Sequence, residues 1–538
     1  MTLIVNASHW HSLSNKMIAV YSANQHSTLN DLIKAPEPKY RKLGTAFAYV
    51  VVNLLTQEII AARDPMGLEA FYYYYRNQKF IFGSSIPDIL NQLTDSALLN
   101  CNQVIDLFTN GLVGEQTYSD DTYYQDIYRV EPGYVLQIRK QQLQKKVFWQ
   151  LELDAPTIEL KNDSIYLEHF SILMSEALQC SIGNQPFVAT EFSGGLDSSS
   201  ILMACHQNGI EPSLFCHIAP PDCLETDDRE YANTVIQQFQ FKKVHWVDAQ
   251  YFNLIEVLHY CAACFAGAAP YLFFMLANNI HQAVINASHS TLLSGFGGDE
   301  CVSGHAPMRA YLPSVMRGGL YKKAWQELLY SYHHGNNNYP PRKIKCILHL
   351  LKLSHPWLHY FLSKIGNIDQ SIQAYLKSKP YFPQKQKKIY HSVRDYEYDL
   401  LQGPRSQHLR MRIEYSAVLA KSMGFTYSYP LLYPKLVDFC FRLPLEQKRR
   451  NGVNRYLIRQ YIAKSLSSKV YNKHLKTGSI MPATMQKCKE YARKGLLDPY
   501  FKDLPYIEKV DKNLGETEKL AAKIYAYMFK YYLFSCSR

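Results

Sequence analysis

Two short segments could do chemistry on a polyphosphate. Ser193-Gly194-Gly195-Leu196-Asp197-Ser198 follows a run that reads as a strand and opens a run that reads as a helix. Two glycines let a backbone close on an anion, and a helix start offers unpaired N–H groups and the positive end of a dipole. Ser193 and Ser198 add hydroxyl donors, and Asp197 can hold Mg²⁺ against phosphate oxygens. The pattern G-x-x-x-x-G-K-[ST] is absent, which argues against a kinase or GTPase of that class. A glycine turn capping a helix would explain the first segment taken alone. The second segment is Ser294-Gly295-Phe296-Gly297-Gly298-Asp299-Glu300, at the end of another predicted strand. In a parallel sheet, two strand ends can bring Asp197 and Asp299 to one cleft, and Mg²⁺ commonly takes one or two carboxylates plus phosphate. The two segments together predict a nucleotide whose pyrophosphate is clamped by magnesium between glycine loops.

The elements that must position these loops follow from periodicity. Residues 44–93 read as β-rich, with strands at 44–52 and 58–64, a hairpin of 71–75 with 79–83, and helical spacing over 86–93. Glu131-Pro132-Gly133-Tyr134 is a turn, the β pattern runs out near Trp149, and Asp154-Ala155-Pro156 marks a boundary. Beyond it, strands at 186–192, 213–218, 244–247 and 291–294 alternate with helices at 164–179, 196–208 and 229–239. That alternation predicts an α/β doubly wound parallel sheet, with ligands at the carboxyl ends of its strands. Phe192, Ser193, Gly194, Gly195, Leu196, Asp197, Ser198, His217, Ser294 and Gly295 then form the expected nucleotide-binding set. Asp197 and Asp299 are the expected metal ligands. From Pro307 onward the chain reads as helical, including a helix from Arg410 to Met423. The expected division is a domain at 1–153 and a second at 154–538, with a helical insert at about 307–410.

Composition bounds the answer without choosing it. The 538 residues suffice for two or more domains, and 47% hydrophobic with 19% charged content excludes a disordered, collagen-like or coiled-coil chain. A net charge of +12 favours anionic partners. The twelve cysteines are scattered, and the N-terminal residues show no basic region followed by an apolar core; a reducing, cytoplasmic setting with free thiols is expected. Cys261 and Cys264 form a C-x-x-C without a second ligand pair, so a buried helix is expected rather than zinc. Tyr260 to Ile280 carries no charge and is long enough to span a bilayer. Pro270, Asn278, Asn279 and many small residues interrupt it, so we expect a helix buried between a sheet and another layer and no membrane span.

The S-G-G-L-D-S loop, the G-x-G-x-D-E segment and the intervening Asp227-Asp228-Arg229-Glu230-Tyr231-Ala232 resemble the asparagine synthetase family of PP-loop ATP pyrophosphatases. The resemblance extends over nearly the whole chain. Phe47-Ala48-Tyr49, Arg63-Asp64-Pro65-Met66-Gly67 and Phe82-Gly83-Ser84-Ser85 are similar to the family's N-terminal glutaminase-type α+β (Ntn-type) domain. Pro430-Leu431-Leu432-Tyr433, Leu443-Pro444, Arg455-Tyr456-Leu457-Ile458-Arg459 and Asn472-Lys473-His474-Leu475-Lys476-Thr477-Gly478 follow the family's order. The resemblance implies ATP and Mg²⁺, attack of a carboxylate on the α-phosphate, release of pyrophosphate, and capture of the acyl-adenylate by an amine. It implies that Lys476 stabilises charge at the reacting carbonyl and phosphate, and that Arg455 contacts phosphate. A solvated surface charge is the alternative for either.

Departures from the family pattern narrow the expectation. A working glutaminase of this class needs Cys after the initiator Met; here the second residue is Thr2, and the glutamine-holding Asn-Gly-Glu segment is missing. The ammonia-supplying half is therefore expected to be dead. Three subfamilies with a dead glutaminase resemble this layout: β-lactam synthetase, carbapenam synthetase and lasso peptide cyclase. The β-lactam type has Tyr where Phe296 stands and pairs it with a glutamate to deprotonate the amine, which Phe296 cannot do. Glu414 matches that glutamate's position and is expected to orient or deprotonate an amine alone; a surface helix carboxylate is the alternative. Between Gln370 and Val393 lie five lysines and no acid, interleaved with Tyr375, Tyr381, Phe382 and Tyr390. Such a surface suits a peptide, although a solvated loop explains it as well. The same pattern could touch RNA, but tRNA-modifying PP-loop enzymes lack a glutaminase-like domain, so nucleic acid is not expected. The resulting expectation is a lasso peptide macrolactam synthetase acting on a precursor core peptide, with a leader-removing peptidase as partner. A β-lactam-type synthetase, a divergent asparagine synthetase and a non-catalytic peptide-binding scaffold are the alternatives.

Overall fold

The computed structural model describes residues 2–5, 9–13, 16–20, 46–93, 97–109, 119–183, 185, 187–218, 228–248, 253–268, 274–334, 390–472, 488–496 and 516–536. The described N-terminal residues form two sheets. One contains β2 (His9–Leu13), β3 (Lys16–Val20), β4 (Ala48–Asn53), β5 (Glu58–Arg63), β9 (Tyr134–Arg139) and β10 (Gln142–Val147). Its order is β10-β9-β5-β4-β3-β2, antiparallel throughout. The other contains β1 (Thr2–Val5), β6 (Tyr72–Arg76), β7 (Lys79–Gly83) and β8 (Ile127–Arg129), in the order β1-β7-β6-β8. Strand β4 explains why its sequence is apolar without alternation. Ala48, Val50 and Val52 pack between the sheets with Phe71, Tyr73, Phe80 and Phe82, while Tyr49 and Val51 pack on the other face with Phe47, Ala62 and Val135. A strand covered on both faces keeps no polar side. The β6–β7 hairpin closes through Asn77 and Gln78, both at positive φ (49° and 62°), the backbone that two-residue hairpin turns require.

The second sheet system is parallel throughout. Its strands are β11 (Ala189–Glu191), β12 (Ser213–Ile218), β13 (Val244–Asp248), β14 (Thr291–Leu293) and β15 (Thr426–Ser428), in the order β13-β12-β11-β14-β15. Helices α3 (Asp163–Ile182), α4 (Leu196–Gln207), α5 (Arg229–Phe239) and α7 (Phe274–Asn286) share its core, after the short α1 (Ile86–Leu90) and α2 (Cys101–Thr109) of the N-terminal part. The predicted α/β class, with an N-terminal part built on two sheets ahead of the parallel one, is the one observed. Strand β15 is an addition: three residues straight after a long helix give too little alternation to read, and burial of Tyr427 and Ser428 decides it instead.

The uncharged stretch at 260–280 is not one helix. Helix α6 (Leu254–Phe265) ends on Ala266 in the left-handed conformation (φ 52°), and α7 begins at Phe274. Only α7 lies on the sheet, against β12 and β13; α6 packs on helices α11 (Gln407–Ser422) and α14 (Glu516–Cys536). Cys261 lies buried on α6, and Cys264 Sγ is 3.5 Å from Ser422 Oγ. Among the described residues no helix is long and apolar enough to cross a membrane.

The two parts share a core. Tyr72, Ile81, Ile86 and Ile89 of the N-terminal part pack in one cluster with Leu258 and Phe265 of α6, Tyr415 and Leu419 of α11, and Ile524 of α14. Helices α8 (Met308–Arg317), α9 (Tyr321–His334) and α10 (Val393–Leu401) form a satellite around Tyr311, Leu312 and Tyr396. Helix α12 (Pro434–Phe441) leads to a small hairpin, β16 (Arg449–Arg450) with β17 (Val453–Asn454), and then to α13 (Tyr456–Ala463).

Candidate nucleotide site

The first glycine loop leaves β11 at Glu191 and enters α4 through Gly195 at the N-cap. Gly194 has φ +72°, and a Cβ there would lie 2.6 Å from Ala232 N, so this residue must be glycine on both counts. The serines knit the loop: Gly195 N donates to Ser193 Oγ (3.4 Å), and Ser198 Oγ donates to Gly195 O (3.2 Å). Phe192 and Leu196 are buried and fix the two ends of the turn.

The second loop locks into the first. A Cβ on Gly295 would lie 2.7 Å from Ser198 N, and one on Gly298 would lie 2.7 Å from Asp197 Oδ1. Ser294 is buried, its N–H donates to Ser428 O (2.9 Å) on the neighbouring β15, and Phe296 N donates to Ser294 Oγ (3.2 Å). Gly298–Val302 is then a single π turn, in which Ser303 N donates to Gly298 O (2.9 Å). Such turns interrupt regular helices where local geometry matters more than regularity.

The predicted convergence of Asp197 and Asp299 is mediated by Arg455. Its Nη1 is 3.5 Å from Asp197 Oδ2, and its Nη2 is hydrogen-bonded to Asp299 Oδ1. The three side chains remain partly open, at 16% exposure for Arg455, 19% for Asp197 and 30% for Asp299. Arg455 itself sits at φ +61°, the residue before α13, where the hairpin turns into the helix. Three consecutive cations pin that hairpin to three different helices. Lys448 Nζ donates to Glu397 Oε2 of α10 (2.5 Å), Arg449 Nε to Glu327 Oε2 of α9 (3.3 Å), and Arg450 to both oxygens of Asp163 at the start of α3 (2.7 and 2.9 Å). The bidentate Arg450, with Gln447 and Tyr456 adding hydrogen bonds, holds the Asp163 carboxyl down to about 2 against a partial desolvation.

Sequence reading missed Arg459. It lies one helical turn beyond Arg455, 6% exposed, with Nε donating to Asn454 O (2.8 Å) and Nη1 to Tyr471 O. Burial, then the like charge of Arg455, lower its guanidinium to about 10, against the pull of Asp197. The i, i+4 spacing of Arg455 and Arg459 was the available signal. His217, near the end of β12, has burial holding its imidazole down at about 4, and its Nδ1 finds no hydrogen-bond partner among the described residues.

Glu414 is neither a surface carboxylate nor alone. It is 3% exposed on α11, accepts from Tyr72 OH (2.7 Å), and is gripped by Arg129 Nε at both oxygens (2.8 and 3.0 Å). Burial by itself would raise its pKa; Arg129 first and Arg63 next, with the hydrogen bonds from Arg129 and Tyr72, outweigh it and lower the carboxyl. The helix position was legible, but its partners come from more than 280 residues away in the chain. Phe296 instead packs with His408 and Tyr429, and the Arg412 guanidinium lies 3.8 Å from the centre of its ring. Lys476, Thr2's side chain, Asp227 and the lysine-rich part of the insert lie outside the described residues.

The donors fit a nucleotide with Mg²⁺. Interlocked glycine backbones leave room for phosphate where side chains would collide, α4 points its N-terminus into the loop, and two carboxylates face a shared cation. Among the described residues no group of three or more His, Cys, Asp or Glu side chains is arranged to hold a metal ion. That leaves Asp197 and Asp299 as a pair, the number Mg²⁺ takes when phosphates complete its shell.

Two family profiles match the chain. The asparagine synthase family profile matches residues 171–523, and a glutamine amidotransferase domain profile matches residues 29–149. An asparagine synthetase homologue of Methanocaldococcus jannaschii is 26% identical over 175 residues, 30% of this chain and 33% of its own length. Asparagine synthetase 3 of Bacillus subtilis is 27% identical over 173 residues, 32% of this chain and 27% of its own. Amidase chry2 of Gibberella zeae is 26% identical over 159 residues, 29% and 22%. The matches thus span a third or less of these curated relatives. Among solved structures, the U34-tRNA thiolase NcsA of Methanococcus maripaludis aligns over 48% of this chain and 80% of its own at 14% identity, but its TM-score of 0.19 is too low to bear on fold or function.

Proposed function

We propose a function from one premise: the chain belongs to the asparagine synthase family. It is an ATP-dependent amide ligase, and one observation carries that reading. Arg455 joins Asp197 and Asp299 between two glycine loops that interlock at the ends of β11 and β14. In this reading the loop N–H groups and the start of α4 hold the phosphates, while Asp197 and Asp299 hold Mg²⁺. The metal supplies charge neutralisation at the leaving pyrophosphate. Arg455 contacts phosphate, and Arg459 stays beneath it as a fixed cation. A substrate carboxylate attacks the α-phosphate, pyrophosphate leaves, and an amine displaces AMP from the acyl-adenylate to form the amide. Lys476 is assigned to the charge that collects on the reacting carbonyl. Glu414, held ionised by Arg129, is assigned to positioning α11 rather than to taking a proton by itself.

For the substrate we favour a precursor core peptide closed into a macrolactam, with a side-chain Asp or Glu as acceptor and the N-terminal amine as nucleophile. Thr2 in place of a cysteine nucleophile, the missing Asn-Gly-Glu segment, Phe296 and the basic aromatic insert support a lasso-cyclase role, with a leader-removing peptidase as partner. Similarity to two asparagine synthetases favours a second reading, a divergent asparagine synthetase. Pyrophosphate exchange into ATP separates them. The first reading predicts exchange with a candidate precursor peptide carrying a side-chain carboxylate and a free N-terminal amine, and none with aspartate. Exchange with aspartate alone would favour the second, and exchange with neither would favour a non-catalytic scaffold. Glutamine-dependent ammonia release, abolished by Thr2→Ala, would overturn the dead-glutaminase part of the proposal.

A further inference from the structure

We propose that Arg455 is a built-in counter-ion that competes with divalent metal for Asp197 and Asp299, so that metal enters only when a nucleotide draws the guanidinium onto its phosphates. The proposal rests on the reading of this site as nucleotide-binding. One guanidinium reaches both carboxylates, Nη1 to Asp197 Oδ2 at 3.5 Å and Nη2 to Asp299 Oδ1. Two carboxylates close enough to share one guanidinium repel each other, and without a cation one of them would be driven to bind a proton. An arginine is always charged and presents a planar fork that can bridge them. Mg²⁺ binds through the same kind of oxygens and carries twice the charge. With Arg455 in place, a divalent ion would have to take oxygens that the guanidinium already holds, bringing two cations into contact. A triphosphate changes that balance, because it offers Arg455 a second anion with matching bidentate geometry.

The surrounding fold confines the exchange to a side-chain swing. The backbone at 448–450 is tied by the Glu397, Glu327 and Asp163 pairs, Gly452 N donates to Glu327 Oε2 (2.8 Å), and Asn454 Oδ1 accepts from Ala306 N (2.9 Å). Arg455 is only partly covered, so its long side chain can turn without breaking a core. Arg459 stays buried beside it on two backbone carbonyls and keeps positive charge at the site when Arg455 leaves. Metal and nucleotide affinity are then coupled through one residue, and the coupling is reciprocal.

The test uses the full chain, Mn²⁺ as the probe metal and electron paramagnetic resonance of free Mn²⁺ as the readout, with α,β-methylene ATP as a non-cleavable nucleotide. The parent should bind Mn²⁺ weakly alone and at least about tenfold more tightly with the analogue, within the usual range of coupling. Arg455→Ala should bind Mn²⁺ alone about tenfold more tightly than the parent and gain less from the analogue. Arg455→Lys, whose compact charge cannot bridge two carboxylates in the same way, should fall between them and serves if the alanine variant does not fold. Arg455 variants that bind Mn²⁺ no more tightly than the parent would overturn the counter-ion role, even if the parent binds the analogue. A parent that binds no analogue, with or without Mn²⁺, would instead overturn the nucleotide site itself.

Discussion

Arg129 with Glu414, and Arg455 with Asp197 and Asp299, use the same two side-chain chemistries in opposite surroundings. The first pair is sealed where the N-terminal part meets α11, with 13% and 4% side-chain exposure and a tyrosine hydroxyl completing the carboxylate. The second cluster lies at the strand ends, partly open, with one guanidinium shared between two carboxylates. A sealed pair cannot trade partners without stranding a charge in a low dielectric. An open cluster leaves its groups within reach of solvent, and under the proposed function it accepts a metal, releases an arginine and binds phosphate. The contrast shows how the N-terminal part is tied into the molecule: Arg129 and Tyr72 hold α11 from one side, while Arg412 on the same helix covers Phe296 of the glycine loop.

The contrast breaks most visibly in stability. Glu414→Gln or Arg129→Met alone should cost about 3–5 kcal/mol in urea unfolding, since each strands a buried partner. The triple replacement Arg129→Met, Glu414→Leu, Tyr72→Phe should recover most of that loss. In the open cluster the effect moves to function. Asp197→Asn and Asp299→Asn should each lower peptide-dependent pyrophosphate exchange by roughly 10²–10³, while unfolding shifts by no more than about 0.5 kcal/mol, as for a surface change. Gly295→Ala should do some of both. A Cβ 2.7 Å from Ser198 N must push the loops apart, costing about 1–3 kcal/mol as overpacking does and weakening MgATP binding.

The smallest expected effect is one of pH. Glu414 is held below its ordinary value of 4.5, so its contribution to stability is fully present above that value and is lost as pH falls through the lower folded one. The difference in Tm between the parent and Glu414→Gln should therefore be constant near neutrality and narrow below about pH 4.5. A gap that widens in acid would mean that Glu414 is not held ionised by Arg129.

Much of this was legible in the sequence where chemistry is local. Strand 213–218 and helix 229–239 have the predicted bounds, because apolar periodicity and flanking turn residues lie within the segment itself. The two glycine loops were legible for the same reason, and their convergence followed from parallel topology. What could not be read is pairing across long separations. Nothing near Glu414 announces Arg129, and nothing near Lys448-Arg449-Arg450 announces Glu397, Glu327 and Asp163. Nor did the sequence show that one arginine would stand between the two aspartates, since Arg455 reads equally well as a surface cation until the hairpin and α13 are placed. The uncharged 260–280 stretch was misread because apolar content reports burial, whereas the break at Ala266 depends on a left-handed residue that composition does not reveal.

Titration calorimetry of MgATP on three proteins tests the central claim most directly: the parent, Asp299→Asn, and the triple replacement at Arg129, Glu414 and Tyr72. The account predicts that the parent and the triple variant bind MgATP alike, and that Asp299→Asn binds it at least about tenfold more weakly, the loss of one charge-assisted contact. Undiminished binding by Asp299→Asn, with binding lost in a folded triple variant, would contradict it and move the nucleotide to the junction of the two parts.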